Sequence, residues 1–195
     1  TIIRNSFVDK HRIMTAPSKW SQIKRKKEIT DAKKGRIFSK LAKLIEVAAR
    51  KGADVKTNLS LKAVIDDAKA ANMPATNIER AIKKGVGLDK ESSNLEEIIY
   101  EAYGSGGVAI IVEAITSNKN RSVAEIKHIL SKNGASLSGS GGVRWMFERK
   151  IEEGELKWLP KQTLKLNDED EGKLNGLLED FEENEDVVEV FTNAE

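Results

Sequence analysis

The residues best suited to chemistry in this chain are cations, and they come early. Lys19, Lys24, Arg25, Lys26, Lys27, Lys33, Lys34, Arg36 and Lys40 follow one another with only Glu28 and Asp31 as acids among them. Ammonium and guanidinium groups at this density neutralise phosphates and release condensed counterions. Such a stretch binds polyanions strongly at low salt and weakly at high salt. A merely solvated helix face would interleave carboxylates, and this one mostly does not. Cations in this pattern grip a phosphate backbone, but nothing in the spacing reads base edges. Trp20 sits inside the run. Its indole suits stacking on an unpaired base or anchoring the segment to a helical core, the commoner fate of a lone tryptophan. Arg80, Lys83 and Lys84, at i, i+3 and i+4, share one helix face. They either extend the phosphate-binding surface or complement a helix C-terminus.

Other chemistry is scarce. There is no cysteine, which excludes disulfides, thiol nucleophiles and thiolate metal sites. The two histidines, His11 and His128, are too few for a histidine-rich metal site. His128 is expected to face solvent, and no neighbouring carboxylate or hydroxyl pattern marks it as catalytic. Glu152–Glu153 and Asp168–Glu171 read as a solvated face and a favourable helix start rather than as metal ligands. The glycine-rich stretches Gly104–Gly107 and Gly139–Gly142 do not complete G-x-G-x-x-G, because Ala109 and Arg144 stand at the last glycine positions. No G-x-x-x-x-G-K-[ST] occurs. The first stretch reads as a hairpin turn and the second as a flexible loop leading into a strand. With no nucleophile–base arrangement, the residues point to a protein that is not an enzyme, with no cofactor and no metal.

The elements that must position the cations divide the 195 residues into unlike halves. The net charge of +2 conceals this. Residues 1–90 hold 22 Lys+Arg against 9 Asp+Glu, residues 91–150 hold 7 of each, and residues 151–195 hold 4 against 15. A polyanion-binding part joined to an acidic part is the natural reading. No apolar run approaches the roughly 20 residues that span a bilayer, and the N-terminal residues lack an apolar signal-peptide core.

Residues 1–17 show no period and are expected to form a flexible extension. Met14 could be a natural start, which favours a bacterial cytoplasmic protein. Arg4, Lys10, His11 and Arg12 also suit the tail of an organelle transit peptide, which would place the protein in the mitochondrial matrix. Residues 18–85 are expected to form a basic all-helical domain. A first helix centres on Gly35–Lys51, with Ile37, Leu41, Leu44, Ile45 and Ala48 on an apolar stripe and Arg36, Lys40, Lys43 and Arg50 beside it. A second covers Leu61–Ala71 and breaks at Asn72–Pro74. A short third has Thr76 and Glu79 at capping-box spacing and Gly85 as its C′ residue. Residues 86–94 read as a linker.

Residues 95–195 are expected to form an acidic α+β domain. Strands fall at Ile98–Tyr103 and Val108–Ile115, the second apolar on both faces. A helix follows at Asn120–Asn133, with Val123, Ile126, Ile129 and Leu130 inward. Residues 143–148 read as a half-buried strand, with Val143, Trp145 and Phe147 on one face. Leu156–Leu166 reads as another strand, interrupted by Pro160. An acidic helix spans Asp168–Glu183, and Val187–Phe191 closes the chain. From the second strand onward this is the ferredoxin-like order β-α-β-β-α-β, with one extra strand in front.

Several strings together resemble one family. They are Ser18-Lys19-Trp20 with Ile23-Lys24, Lys34-Gly35-Arg36-Ile37-Phe38, Ala68-Lys69 with Ala71-Asn72-Met73-Pro74, and Asn77-Ile78-Glu79-Arg80-Ala81-Ile82. Further on come Tyr100-Glu101, Tyr103-Gly104, Gly106-Gly107-Val108-Ala109, Val143 with Trp145-Met146-Phe147, and Trp158-Leu159-Pro160-Lys161. The chain resembles the YebC family, which includes the mitochondrial translational activator of cytochrome c oxidase. It departs from the family pattern at Pro17, where a histidine is usual, and at Leu59, where a proline is usual. Between Phe147 and Trp158 the family normally carries a whole small α/β domain, so the chain looks like a short form with two domains. The resemblance implies a non-enzymatic regulator of gene expression. Family members are described both as DNA-binding transcriptional regulators and as translation factors that act on the ribosome. No helix-turn-helix pattern is evident, and a basic arm suits irregular RNA as well as a duplex. Ribosomal RNA is therefore the favoured partner and duplex DNA the alternative. The acidic end should face away from the nucleic acid. A protein-interaction adaptor, whose basic domain meets an acidic partner or its own C-terminus, is the rival of another class.

Overall fold

The computed structural model describes residues 31–88, 94–152 and 155–195. The expected N-terminal extension, Trp20 and the basic run Lys19–Lys27 lie outside the described residues, as does much of the expected linker.

Three helices form the N-terminal unit: α1 (Asp31–Ala49), α2 (Leu59–Ala70) and α3 (Ala75–Gly85). Ile45, Ala49, Leu61 and Ala68 are fully buried at its centre, with Met73, Ile78 and Ala81 around them. Asn58 ties α2 to the end of α1. Its amide donates to the carbonyls of Ala48 and Gly52, both at 2.8 Å, and its oxygen accepts from the Leu61 N–H at 3.0 Å. Leu59, where a proline is usual, is the first helical residue and is exposed. That position needs no N–H of its own, so proline fits it but is not required. Asn72 takes φ +59° and the Met73 N–H returns to the Ala68 carbonyl, which ends α2 where the sequence breaks.

Two details of α3 differ from expectation. Pro74 is its N-cap and no side chain caps it, so Thr76 lies inside the helix and the capping box is not used. Proline's φ is already helical, which lets the turn begin without a hydroxyl. Gly85 is the last helical residue rather than the left-handed one, which is Gly87 at φ +75°. Gly85 is needed for space. A Cβ there would sit 2.3 Å from the Glu46 carbonyl oxygen and 2.7 Å from the Ala49 Cβ, because α3 crosses α1 at that point.

The second unit is α+β. Strands β1 (Glu96–Tyr103), β2 (Ala109–Thr116), β3 (Ser136–Leu137) and β6 (Val187–Thr192) form an antiparallel sheet in the order β3-β1-β2-β6. Helices α4 (Lys119–Lys132) and α5 (Asp168–Glu183) cover one face. Ile110, Val112, Ala114 and Val190 meet Ile126, Leu130, Leu174, Leu177, Leu178 and Phe181 there. The α5 core residues are those its 3.6-residue spacing assigns, and Asn167 caps its start. Strands β4 (Phe147–Glu152) and β5 (Glu155–Pro160) pair as a hairpin of their own. The hairpin base lies on the other face of the sheet, where Ala109, Ile111, Val143, Phe147, Trp158 and Phe191 pack together. Beside it Leu44 and Val47 of α1 pack on Leu95, Ile115 and Val188. Strand β2 is thus covered on both faces, as its unbroken apolar run implies, and α1 serves both units.

The strand roster differs from the sequence reading in three places. Residues 144–146 form a 3-10 turn, so β4 begins only at Phe147. Strand β5 stops at Pro160, and Leu164 makes only an isolated bridge to Ala194. The two-residue edge strand β3, unexpected in the glycine-rich loop, pairs with the end of β1. The two strands that the ferredoxin-like order assigned to the sheet are therefore the separate β4–β5 hairpin.

Candidate nucleic-acid interface

The expected cations separate into three groups. Lys19, Lys24, Arg25, Lys26 and Lys27, with Trp20, lie outside the described residues. Lys33, Arg36 and Lys40 project from α1 toward the acidic end of α5. Lys34 on α1 and Arg80 and Lys83 on α3 are exposed, while Lys84 is half-buried.

The acidic corner docks on part of this basic helix, a contact between the basic domain and its own C-terminal part that the adaptor reading foresaw. Lys33 Nζ is 2.6 Å from Glu182, and Arg36 Nη2 is 3.6 Å from Glu183. Lys40 Nζ donates to the Glu182 carbonyl at 2.8 Å. Lys43 Nζ reaches the Asp186 carboxylate at 2.8 Å and the Glu185 carbonyl at 2.9 Å. The cause is local. The last turn of α5 has no basic residue, so its free carbonyls and its carboxylates add up to a negative end that attracts ammonium groups. Arg121 of α4 completes the corner, with Nη2 3.1 and 3.0 Å from the two Asp186 oxygens. Burial alone would raise the Asp186 carboxyl. The hydrogen bonds from Lys43, Arg121 and Thr116 outweigh it and hold the group below the usual carboxylate range.

Helix α3 offers a different surface. Asn77, Arg80 and Lys83 are exposed along it, and only the four residues Ala71–Pro74 separate it from α2. The sequence showed no helix-turn-helix pattern, but the structure places two helices across a short turn with a basic second helix.

A further surface escaped the sequence reading. Trp145 was expected on the inward face of a strand; the 3-10 turn carries it outward and leaves it 64% exposed. The turn is organised from beneath by Glu101 of β1. Its buried carboxylate accepts from the N–H groups of Gly141, Val143 and Arg144 at 2.8, 3.0 and 2.9 Å, and Arg144 Nη2 lies 3.3 Å away. Burial would raise this carboxyl, yet these donors together hold it low. The loop Gly139–Gly142, expected to be flexible, is thereby built around one side chain. Tyr103 Oη and Trp145 Nε1 both donate to the Gly142 carbonyl, at 2.8 and 2.9 Å. The local sequence carries no signal of this turn, because Val143, Trp145 and Phe147 alternate as a strand would.

His128 is exposed, as expected. Among the described residues no group of three or more His, Asp or Glu side chains is placed to hold a metal ion. No helix of the described residues is long and apolar enough to cross a membrane.

The family model described as the TACO1/YebC protein N-terminal domain matches residues 18–88. The model described as the TACO1/YebC second and third domain matches residues 95–152 and 149–194. A probable transcriptional regulatory protein of Caldanaerobacter subterraneus subsp. tengcongensis is 40% identical, over 93% of this chain and 98% of the relative. That alignment spans 240 residues, more than this chain possesses, so the relative carries a stretch with no counterpart here. The two matched segments of the second model meet in the β4–β5 hairpin. A probable transcriptional regulatory protein of Desulfitobacterium hafniense is 49% identical over 183 residues, covering 92% of this chain and 70% of the relative. A crystal structure of a conserved hypothetical protein from Aquifex aeolicus superposes with a TM-score of 0.80 at 34% identity, covering 91% of this chain and 97% of that one.

Proposed function

This chain belongs to the TACO1/YebC family, and on that premise we propose that it is a non-enzymatic regulator of gene expression that grips nucleic acid through its helical unit. The observation that carries this reading is the charge of the N-terminal part, 22 Lys+Arg against 9 Asp+Glu in residues 1–90. Within that excess the acidic corner engages Lys33, Arg36, Lys40 and Lys43. The run Lys19–Lys27, together with Lys34, Arg80 and Lys83, is assigned to phosphates. Ribosomal RNA is the favoured target, because a basic arm beside a small helical unit adapts to irregular backbone, and the action is then on translation. Duplex DNA is the second reading. The short turn between α2 and α3 and the exposed Asn77, Arg80 and Lys83 favour it, and it agrees with the transcriptional names of the bacterial relatives.

A competition experiment at two salt concentrations separates the two. Purified protein is offered intact ribosomes against random duplex DNA. Preference for ribosomes that weakens when Lys24, Arg25, Lys26 and Lys27 are changed to Glu supports the translational reading. Equal or better duplex binding, weakened by Arg80→Ala and Lys83→Ala, supports the transcriptional one. Binding of neither, or binding indifferent to every one of these changes, refutes the nucleic-acid reading.

A further inference from the structure

We propose that Trp145 is a stacking platform for an unpaired base of single-stranded nucleic acid, with Lys161 and Arg144 placed for the adjoining phosphates. The proposal rests on the nucleic-acid reading above and names the strand form that this second surface takes.

An indole that is 64% exposed is an unusual residue to hold rigidly in water. Here it is held. Its N–H is satisfied by the Gly142 carbonyl at 2.9 Å, which fixes the ring plane without help from a ligand. Tyr103 shares that carbonyl at 2.8 Å, so two rings hang from one acceptor. The loop beneath is fixed by the three backbone donors to Glu101. Gly142 is needed for this close fold, since a Cβ there would meet the Ser138 side chain at 1.7 Å and the Gly139 carbonyl oxygen at 3.0 Å. A pre-oriented aromatic face loses little freedom on binding, and every base has a π-face to offer it.

The surrounding charge selects the partner. The C-terminal unit is acidic, yet residues 136–147 and 156–166 contain no carboxylate and hold Arg144, Lys157, Lys161 and Lys165. Lys161 Nζ donates to the Trp145 carbonyl at 2.8 Å, which places an ammonium at the foot of the indole. Arg144 lies over the Trp158 ring at 5.7 Å and is paired with Glu101, yet its side chain remains 42% exposed. Glu101, the carboxylate that anchors the turn, is buried under these donors and presents no negative surface. Of the hairpin's acids, Glu148 is paired with Lys150, while Glu152 and Glu155 sit at the far end, five residues or roughly 16 Å along the strand from Phe147. A protein-docking patch would need a broad contiguous apolar area, whereas two rings inside a cationic rim match a base and its phosphates.

The test compares full-length wild type with Trp145→Ala, Trp145→Phe and Lys161→Glu. Each is titrated against single-stranded oligouridylate and against a duplex RNA hairpin of equal charge, with thermal melting to verify the fold. The expected result is about tenfold weaker oligouridylate binding for Trp145→Ala, the loss of one stacked base, with duplex binding unchanged. Trp145→Phe should retain most of the affinity, and Lys161→Glu should weaken the single strand more than the duplex. Unchanged oligouridylate binding in both Trp145→Ala and Lys161→Glu overturns the proposal, and so does equal loss of single-strand and duplex binding. If wild type binds duplex and ribosomes but not oligouridylate, this surface is not a stacking site and the nucleic-acid reading stands. If wild type binds no nucleic acid at all, both readings fall.

Discussion

At the scale of single residues, two carboxylates show how position sets their effect. Asp186 has a side chain only 1% exposed and contacts two cations. Removing such a charge's partner, or the charge itself, strands an ion in a dry site and typically costs about 3–5 kcal/mol. Asp186→Ala is therefore expected to lose about 2–3 kcal/mol in urea unfolding at neutral pH, at or below the bottom of that range because Lys43 keeps the Ile115 and Glu185 carbonyls and Arg121 can turn to water. The pH dependence follows from the direction of the shift. The folded carboxyl lies below its unfolded value, so its stabilisation is complete above the ordinary carboxylate range and disappears as pH falls through the folded pKa. Asp186→Asn should accordingly flatten the acid limb of a stability–pH profile, and a profile unchanged by the substitution would show that the corner contributes nothing. Glu113 has the opposite sign. Burial raises its carboxyl, and Glu97 adds to the rise, against the Trp158 indole N–H at 2.8 Å and Arg149. Folding therefore favours the protonated form, and its contribution declines as pH rises above the unfolded pKa. Glu113→Gln keeps an oxygen for the indole and removes the charge. It should melt no lower than wild type at pH 7, and a clear loss of Tm would mean that Arg149 needs the anion.

At the scale of elements, α1 is the joint of the molecule, and its tightest contact is the crossing with α3 at Gly85. Gly85→Ala pushes a methyl group against the backbone of Glu46, which cannot move without unseating Leu44 and Val47 from the sheet. Overpacking of this kind costs about 1–3 kcal/mol, and calorimetry should show a lowered Tm despite alanine's better helix propensity. Gly85 also marks where the sequence could be read and where it could not. Its presence near a helix end was plain, but the reason for it, a neighbouring backbone, is tertiary. The acidic helix was legible to the residue because its leading acids favour a helix start and Leu174, Leu177, Leu178 and Phe181 keep a strict period. Residues 143–148 misled because their alternation imitates a strand. The backbone there is bent by hydrogen bonds to Glu101, forty residues away, and no local pattern announces that contact. Trp145 was hidden for the same reason. The basic stretch was legible as chemistry, but which of its members meet the acidic corner depends on where α5 ends.

At the scale of the whole molecule, the two units are joined as a basic helix against an acidic corner, with Leu44 and Val47 as the apolar half of the joint. The missing stretch of the family has little bearing on this joint. It belongs at the β4–β5 hairpin, where Glu152 pairs with Glu155 and only two residues intervene. Adjacent strand ends can receive or lose an insertion without moving the sheet, so a two-unit chain keeps the contact of α1 with α5 and β6. That contact also limits the polyanion surface. Lys33 and Arg36 face Glu182 and Glu183, and an RNA phosphate approaching α1 meets those carboxylates first. Replacing both by Lys removes the repulsion and the competing partner together. The double variant Glu182→Lys, Glu183→Lys should bind duplex and ribosomal RNA more tightly than wild type. It should also lose affinity more steeply as salt rises, since each additional phosphate contact adds about 0.7–0.9 to the log–log slope. Asp186, kept intact, continues to hold Lys43 and the two units together. If affinity and slope are both unchanged, α1 is a structural dock only, and phosphate contact belongs to the basic run before it and to α3.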